Sequence, residues 1–407
     1  MKRQTLILSA LMLTPLLQAQ KKDFSYSFYG FIRNDMFYNS RANNAAVEGT
    51  FYLYPMDKKL DSNGEDLNAQ SNTGFYSFTT RLGINIKGPM IGSAQTSGKI
   101  ETDFGGFSSS CTLLRIRQAY FKLDWQNSSL TIGQTWHPLA GSVTPSLLCI
   151  SQGAPFQPFN REPQFRYQYN LKGIEIADAA LWQLQYISNG PNGKSLDYMK
   201  NNCLPEFYVG ADILSIKDWR LGAGVHTISL KPRLASEWEG KTYKVNEHIR
   251  AFSYEAHLKY SHKDFTFAAK SLLASCLDYT SMLSGYGISS INKQNGKQKY
   301  VPFRHSTSWI DLTYGSKWKS GLFLGFTKNL GTNHSLTSST TYGNSLNIDK
   351  LCMCVFSFSY NLPHWSTGIE FTPTKAWYGE NNLENGKVIN THAVTNQRIA
   401  LTALYIF

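Results

Sequence analysis

The stretch that decides the fold is residues 76–87, Tyr-Ser-Phe-Thr-Thr-Arg-Leu-Gly-Ile-Asn-Ile-Lys. The apolar side chains share one parity and the polar ones the other: Tyr76, Phe78, Leu82, Ile84 and Ile86 against Ser77, Thr79, Arg81, Asn85 and Lys87. This period-two alternation places the two sets on opposite faces of a β-strand. A run of about 11 residues is long enough for a tilted strand to cross a lipid bilayer, whereas globular strands usually have about five or six. The stretch therefore favours a membrane-spanning strand over a strand of a soluble sandwich.

The same alternation recurs along the whole chain. The predicted strands are residues 24–37, 73–87, 92–104, 112–125, 129–136, 164–171, 174–188, 205–214, 219–230, 248–260, 264–276, 306–317, 319–329, 349–361, 364–376 and 392–407. No stretch approaches the roughly 20 apolar residues of a membrane-spanning helix. The predicted fold class is therefore all-β, a transmembrane antiparallel β-barrel of about 16 strands.

The connections between these segments alternate in length. The short gaps are 88–91, 126–128, 172–173, 215–218, 261–263, residue 318 and 362–363. The long ones are 38–72, 137–163, 189–204, 231–247, 277–305, 330–348 and 377–391. Short periplasmic turns and long extracellular loops are expected of an outer-membrane barrel, and a sandwich gives no reason for such regularity.

The two ends of the chain fit that location. Lys2 and Arg3 precede an apolar run at 6–17, and Ala19 offers a small-residue cleavage site. This pattern predicts a signal peptide at 1–19, followed by a single barrel domain at 20–407. The last strand ends on Phe407, which resembles the signal that barrel-assembly machinery recognises. We therefore expect the cell outer membrane, with its lipid and lipopolysaccharide as the surroundings.

Composition excludes several function classes. The net charge is +12, but the sequence has no long Lys/Arg cluster and no nucleic-acid motif, so a nucleic-acid partner is not expected. It lacks H-E-x-x-H, G-x-S-x-G and a phosphate loop, so neither an enzyme nor a cofactor is predicted. A barrel enzyme of the lipase or protease type and a closed structural or adhesive barrel stay open as alternatives. Disulfide pairing among Cys111, Cys149, Cys203 and Cys276 also stays open.

The segment 137–163 is the most distinctive loop. It holds five prolines, which exclude a helix interior or a sheet, and apolar residues that would be unfavourable in water. The sequence predicts that it folds into the barrel and narrows the lumen. The alternative is an extracellular flap packed on a neighbouring loop or subunit. His137, at its start, is expected to be solvated.

Several charged residues fall on the predicted lumen face. They are Arg33, Arg81, Lys99, Arg115, Arg117 and Arg166, together with the acidic Glu101, Asp103 and Glu175. Free arginines on a lumen wall would concentrate anions, whereas arginines paired with carboxylates would serve structure. The sequence leaves both roles open. The parity of apolar residues changes within 114–125. A β-bulge near Gln118 would account for the change, and so would burial of both strand faces, by the inward loop and by a neighbouring subunit.

Four motifs resemble a known family. They are Gly98-Lys-Ile-Glu-Thr-Asp-Phe104, Leu114-Arg-Ile-Arg-Gln-Ala-Tyr120, Leu130-Thr-Ile-Gly-Gln-Thr-Trp136 and Pro163-Gln-Phe-Arg-Tyr167. They are similar to segments of the phosphate-selective and dicarboxylate-type porins. The resemblance implies a sixteen-stranded homotrimer with an inward loop after the fifth strand, and Arg115, Arg117 and Arg166 near its constriction. The lysine-rich arrays of the phosphate channels are absent from the sequence.

Taken with the strand pattern, this resemblance predicts a porin for passive diffusion. The expected permeants are small hydrophilic solutes, anionic or neutral. No cofactor or energy source is implied.

Overall fold

The computed structural model describes residues 24–106 and 110–407, and the predicted signal peptide lies outside them. Sixteen antiparallel strands close into one barrel. They are β1 (Ser25–Asn39), β2 in two pieces (Asn72–Tyr76 and Arg81–Ile91), β3 (Ala94–Asp103), β4 (Arg115–Asp124), β5 (Ser128–Trp136), β6 (Arg161–Leu171), β7 (Ile174–Leu181), β8 (Glu206–Ile213), β9 (Trp219–Leu230), β10 (Ile249–His262), β11 (Phe265–Ser275), β12 (Arg304–Tyr314), β13 (Trp318–Gly331), β14 (Ile348–Asn361), β15 (Trp365–Asn381) and β16 (Val388–Ile406). The predicted fold class is confirmed.

The barrel closes between its first and last strands. β1 pairs antiparallel with β16 from Phe31 opposite Ile406 to Asn39 opposite Arg398. On its other side β1 pairs with both pieces of β2. Every strand thus has two neighbours, so no sheet edge is left with unpaired backbone groups.

The strands turn apolar side chains outward and polar ones inward. In β1, Phe28 is 77% exposed and Met36 is 49% exposed, whereas Arg33 and Asp35 between them are buried. Exposed aromatic residues gather near the ends of strands at the short-turn rim, among them Trp219, Tyr314, Trp318, Trp365 and Tyr405. An apolar outer band with an aromatic girdle is the surface that a bilayer covers.

The two rims of the barrel differ. One carries short turns such as Lys172–Gly173, between β6 and β7. The other carries long loops with small hairpins of their own, at Asn43–Ala46 with Phe51–Pro55 and at Ala235–Trp238 with Lys241–Lys244. Three further loop strands, Ser284–Ile291, Gln298–Pro302 and Thr341–Asn344, form a small sheet, and Asn189–Gly190 pairs with Gly193–Lys194. The helices are short, α1 (Asp197–Lys200) and a 3₁₀ turn (Asp278–Thr280). Among the described residues no helix is long and apolar enough to cross a membrane, and all six cysteines are free thiols.

The prediction that residues 76–87 lie in one continuous strand is wrong. A turn at 77–80 separates the two pieces of β2. Thr79 donates a hydrogen bond to Asp35 (3.0 Å), and the Thr80 hydroxyl accepts one from the backbone of Arg33 (3.1 Å). These side chains form hydrogen bonds to β1 where backbone groups of a continuous strand would do so. The inward–outward alternation of β2 therefore changes at the turn. As a result Tyr76 lies opposite the inward Asp35. Phe78 does not face outward but packs against a buried apolar cluster that includes Phe51 and Phe159.

Two other local predictions have different outcomes. The strand predicted at 174–188 ends at Leu181, because the Gln183 side chain accepts the Ser188 backbone N–H (3.0 Å) and folds the chain back. The bulge near Gln118 is confirmed. Glu101 pairs with Gln118 but Thr102 pairs with Ile116, which leaves Arg117 as the extra residue.

Candidate functional site

The chain between β5 and β6 lies inside the barrel. Its side chains at Leu139, Val143 and Phe156 are fully buried. Residues 137–160 contain no helix or strand, as their prolines dictate. We call this segment the lumen loop.

The middle of the lumen loop, residues 146–149, which we call its tip, is hydrogen-bonded to strands that are distant from β5 and β6 in the barrel. Glu370 of β15 accepts the backbone N–H of Leu148 at Oε1 (2.5 Å) and that of Cys149 at Oε2 (2.9 Å). Asp311 of β12 accepts the N–H of Ser146 (3.0 Å). Because these strands lie across the barrel from β5 and β6, the loop spans the lumen.

The two ends of the lumen loop, near residues 137–140 and 157–160, form its base. They too are hydrogen-bonded to side chains of other strands. Lys270 of β11 donates from Nζ to the carbonyls of Leu139 (2.8 Å) and Ala140 (3.0 Å). The indole of Trp309 donates to Gln157 Oε1 (3.0 Å). Lys270 thus satisfies backbone carbonyls that the lumen loop, lacking secondary structure, cannot satisfy itself, and Trp309 holds the side chain of Gln157.

Most of the predicted charged residues meet beside the loop tip, where they are paired. Asp103 accepts from Arg115 (2.5 Å) and from Arg117 (2.7 Å), and Glu101 accepts from Arg117 (2.9 Å). Arg81 lies 3.7 Å from Glu101. Buried charges are favourable only when they are paired and hydrogen-bonded. Arg115 and Arg117 meet this condition, whereas Arg81 Nε has no hydrogen-bond partner within the described residues.

Arg33 on β1 forms a separate ion pair, beside a cavity that these arginines also line. Its guanidinium binds Asp35 through two hydrogen bonds, of 2.8 and 2.7 Å, and donates to the Leu148 carbonyl (2.5 Å). The two groups together contain four arginines, 33, 81, 115 and 117, and three carboxylates, 35, 101 and 103. The cavity, of about 70 Å³, lies between this cluster and the loop tip.

Arg166 and Lys99 stand apart from that cluster. Lys99 lies over the ring of Tyr29, with Nζ 4.9 Å from the centroid. Arg166 binds Gln164 Oε1 (2.8 Å) and the Trp136 carbonyl. Within the described part of the chain no carboxylate forms an ion pair with Arg166.

Arg166 faces a second cavity, of about 180 Å³, on the other side of the lumen loop. Here Arg220 is paired with Glu175 (3.1 Å) and Asp212 (2.6 Å), and Asp212 also contacts His257 Nε2 (2.7 Å). Among the cations that line this cavity, Arg166 is thus the one without a carboxylate partner within the described residues.

The residues that hold the lumen loop were not among the predicted site residues. Glu370 lies between Ile369 and Phe371, both exposed, so strand alternation alone would have turned it inward. His137, expected to be solvated, is fully buried. Burial lowers the pKa of His137 to about 4 because the interior disfavours an imidazolium, so the ring is neutral at pH 7.

Solved structures of outer-membrane porins share this architecture. The outer-membrane channel DcaP of Acinetobacter baumannii superposes with a TM-score of 0.66 at 18% identity, over 95% of this chain and 98% of DcaP. OmpT of Vibrio cholerae superposes with a TM-score of 0.55 at 12% identity, over 95% and 99%. OmpF of Salmonella typhi, in complex with daunomycin, gives 0.50 at 10% identity, over 94% and 97%. No protein-family model matches the sequence, and no curated protein matches it either. At these identities the likeness establishes the porin-type fold.

Proposed function

We propose that this chain is an outer-membrane porin through which small hydrophilic, mainly anionic, solutes diffuse passively. The observation that carries the proposal is the lumen loop, fixed across a closed sixteen-stranded barrel by wall residues on both sides. Such a loop sets a size limit while leaving polar space on either side of it. The apolar outer wall and its aromatic girdle support placement in a bilayer, with the short turns on the periplasmic side.

The expected selectivity for anions rests on charge. The chain carries 40 Lys and Arg against 28 Asp and Glu, and the cluster beside the loop tip holds one more arginine than it has carboxylates. Arg166 adds an unpaired guanidinium that can hold a carboxylate through two hydrogen bonds. With the resemblance to dicarboxylate-type porins, this favours small carboxylates as permeants.

We also propose that the chain assembles as a homotrimer. The support is the family resemblance and the OmpT structure of Vibrio cholerae that is described as a trimer form. The lumen, however, is complete within one chain, so conduction does not depend on this part of the proposal.

The test is the reversal potential of the purified, folded protein in a planar bilayer under a salt gradient. We expect stepwise conductance with an anion-leaning potential that Arg166→Gln reduces. Lys293→Gln, which removes a charge from an exposed hairpin turn, is the matched control and should leave the potential unchanged. A cation-leaning potential would overturn the selectivity, and a folded barrel without conductance would overturn the channel.

A further inference from the structure

A second group of polar side chains lies where the lumen loop begins, and the channel proposal does not use it. It consists of His137, Glu206 at the start of β8 and His226 of β9, all fully buried. Glu206 Oε2 lies 3.0 Å from His226 Nε2 and 3.5 Å from His137 Nε2. The three ligand atoms lie within 4.8 Å of one another.

These separations are suitable for a single metal ion bound by all three residues. Zinc bonds to histidine nitrogen and carboxylate oxygen are about 2.0–2.2 Å long, so two ligands of one tetrahedral ion lie roughly 3.4 Å apart. The nearest candidate for a fourth ligand is Glu162, whose Oε2 lies 3.9 Å from His137 Nε2 and which would have to move closer to the group of three. That oxygen is buried and has no hydrogen-bond partner within the described residues. An unpaired buried carboxylate oxygen is unfavourable, and a cation would satisfy it.

The surroundings orient both carboxylates toward the histidines. Gln183 donates to Glu206 Oε1 (3.0 Å), and Asn160 donates to Glu162 Oε1 (2.6 Å). Each carboxylate therefore has one oxygen held by an amide and the other directed at the imidazole rings. Outer hydrogen bonds of this kind are what fix ligands around a bound metal.

We propose that His137, Glu206 and His226, with Glu162 as fourth ligand, form a binding site for a divalent transition metal of the zinc type. Two imidazoles and two carboxylates are ligands that zinc accepts. The site would join the base of the lumen loop to β6, β8 and β9. It is independent of the channel proposal, since none of its residues lines either lumen cavity described above.

Binding changes the histidine tautomers. Without metal, Glu206 Oε2 lies within hydrogen-bond distance of both Nε2 atoms and accepts from the Tyr279 hydroxyl, so an ionised Glu206 favours a proton on each Nε2. With metal, each Nε2 lone pair binds the ion and the proton moves to Nδ1. Within the described residues His226 Nδ1 has no partner and can take it, whereas His137 Nδ1 accepts the Leu139 backbone N–H (3.1 Å) and would give up that bond.

The experiment measures metal binding by the full chain, folded in detergent and carrying no polyhistidine tag. The protein is stripped with a chelator, loaded with Zn²⁺, separated from free metal and assayed by elemental analysis. We expect one Zn²⁺ per chain, and an affinity lower by about 10-fold or more in His226→Gln and in Glu206→Gln. His305→Gln is the matched control. His305 is also a fully buried strand histidine, but it lies outside the cluster, so its variant should bind like the wild type.

Co²⁺ bound to the wild type gives a second result that needs no variant. A four-coordinate site predicts the intense visible absorption of tetrahedral Co²⁺, removed by competing Zn²⁺. Absence of metal from the wild type, the weak spectrum of six-coordinate Co²⁺, or folded His226→Gln and Glu206→Gln variants that bind like the wild type would each overturn the site. The group would then be a buried hydrogen-bond network only. Conductance of the metal-stripped protein tests the channel proposal separately.

Discussion

Single residues on the lumen wall act mainly through their partners. Asp103 is nearly fully buried and accepts from two arginines at once, so its charge compensates theirs. The group of four arginines and three carboxylates beside the loop tip therefore has a net charge of +1, much smaller than the number of its arginines suggests. We therefore expect that removing one carboxylate from this group changes the anion selectivity markedly, because it doubles the net charge.

Asp103→Asn should increase anion selectivity and lower stability. The change leaves Arg115 and Arg117 without their shared carboxylate, which raises the net charge of the cluster beside the loop tip from +1 to +2. Breaking a buried pair costs about 3–5 kcal/mol, and the remaining bond from Arg117 to Glu101 reduces this. The reversal potential and urea unfolding in lipid vesicles measure the two effects. An unchanged potential in the folded variant would contradict the assigned network.

Glu370→Gln should loosen the tip of the lumen loop. The carboxylate accepts two backbone N–H groups, and a glutamine would turn its own NH₂ toward one of them. Leaving one buried donor unpaired costs about 1–3 kcal/mol. We expect larger and noisier single-channel currents, with Glu384→Gln, in an exposed turn, as the control. Currents like those of the wild type would mean that the loop is held without Glu370.

Among the structural elements, the lumen loop has the clearest separable role. Its anchors on β11, β12 and β15 hold a chain segment without regular structure across the barrel. The barrel strands pair with one another and not with this loop, so the barrel should form without it.

Replacing residues 142–152 by a short Gly-Ser linker should therefore yield a folded barrel with a wider lumen. We expect single-channel conductance to rise about twofold or more, because the removed segment crosses the lumen. Permeation of larger neutral sugars, measured by liposome swelling, should rise in parallel. Unchanged conductance in a folded barrel would show that another element limits the pore.

The elements differ in how far the sequence could define them. Strand alternation is local, so it located all sixteen strands. The turn at 77–80 and the early end of β7 depend on side-chain bonds, such as that of Thr79 to Asp35, which alternation does not contain. The loop anchors were out of reach for the same reason, since Leu148 and Glu370 are 222 residues apart in the chain. Composition could place the lumen loop inside but could not find its partners.

At the scale of the whole molecule, charge and shape act together. The full sequence has a net charge of +12, to which Lys2 and Arg3 of the predicted signal peptide contribute two. Of the remaining charges, only those in the lumen would act on a permeating ion at short range. Distant charges act through water and are screened, whereas charges inside a narrow, low-dielectric lumen are screened much less. Anion selectivity should thus have a part that depends on salt and a part that persists.

Anion preference should therefore fall as salt rises, without vanishing. The Debye length shrinks from about 10 Å at 0.1 M to about 3 Å at 1 M, which removes the contribution of loop and rim charges. Arg166 lines a lumen cavity directly, so its contribution should remain. Reversal potentials at a fixed concentration ratio, measured from low to high salt, should decline toward a non-zero anion-leaning value, and toward zero in Arg166→Gln. If the wild type also reached zero at high salt, the selectivity would arise from diffuse surface charge, and Arg166 would have no special place in it.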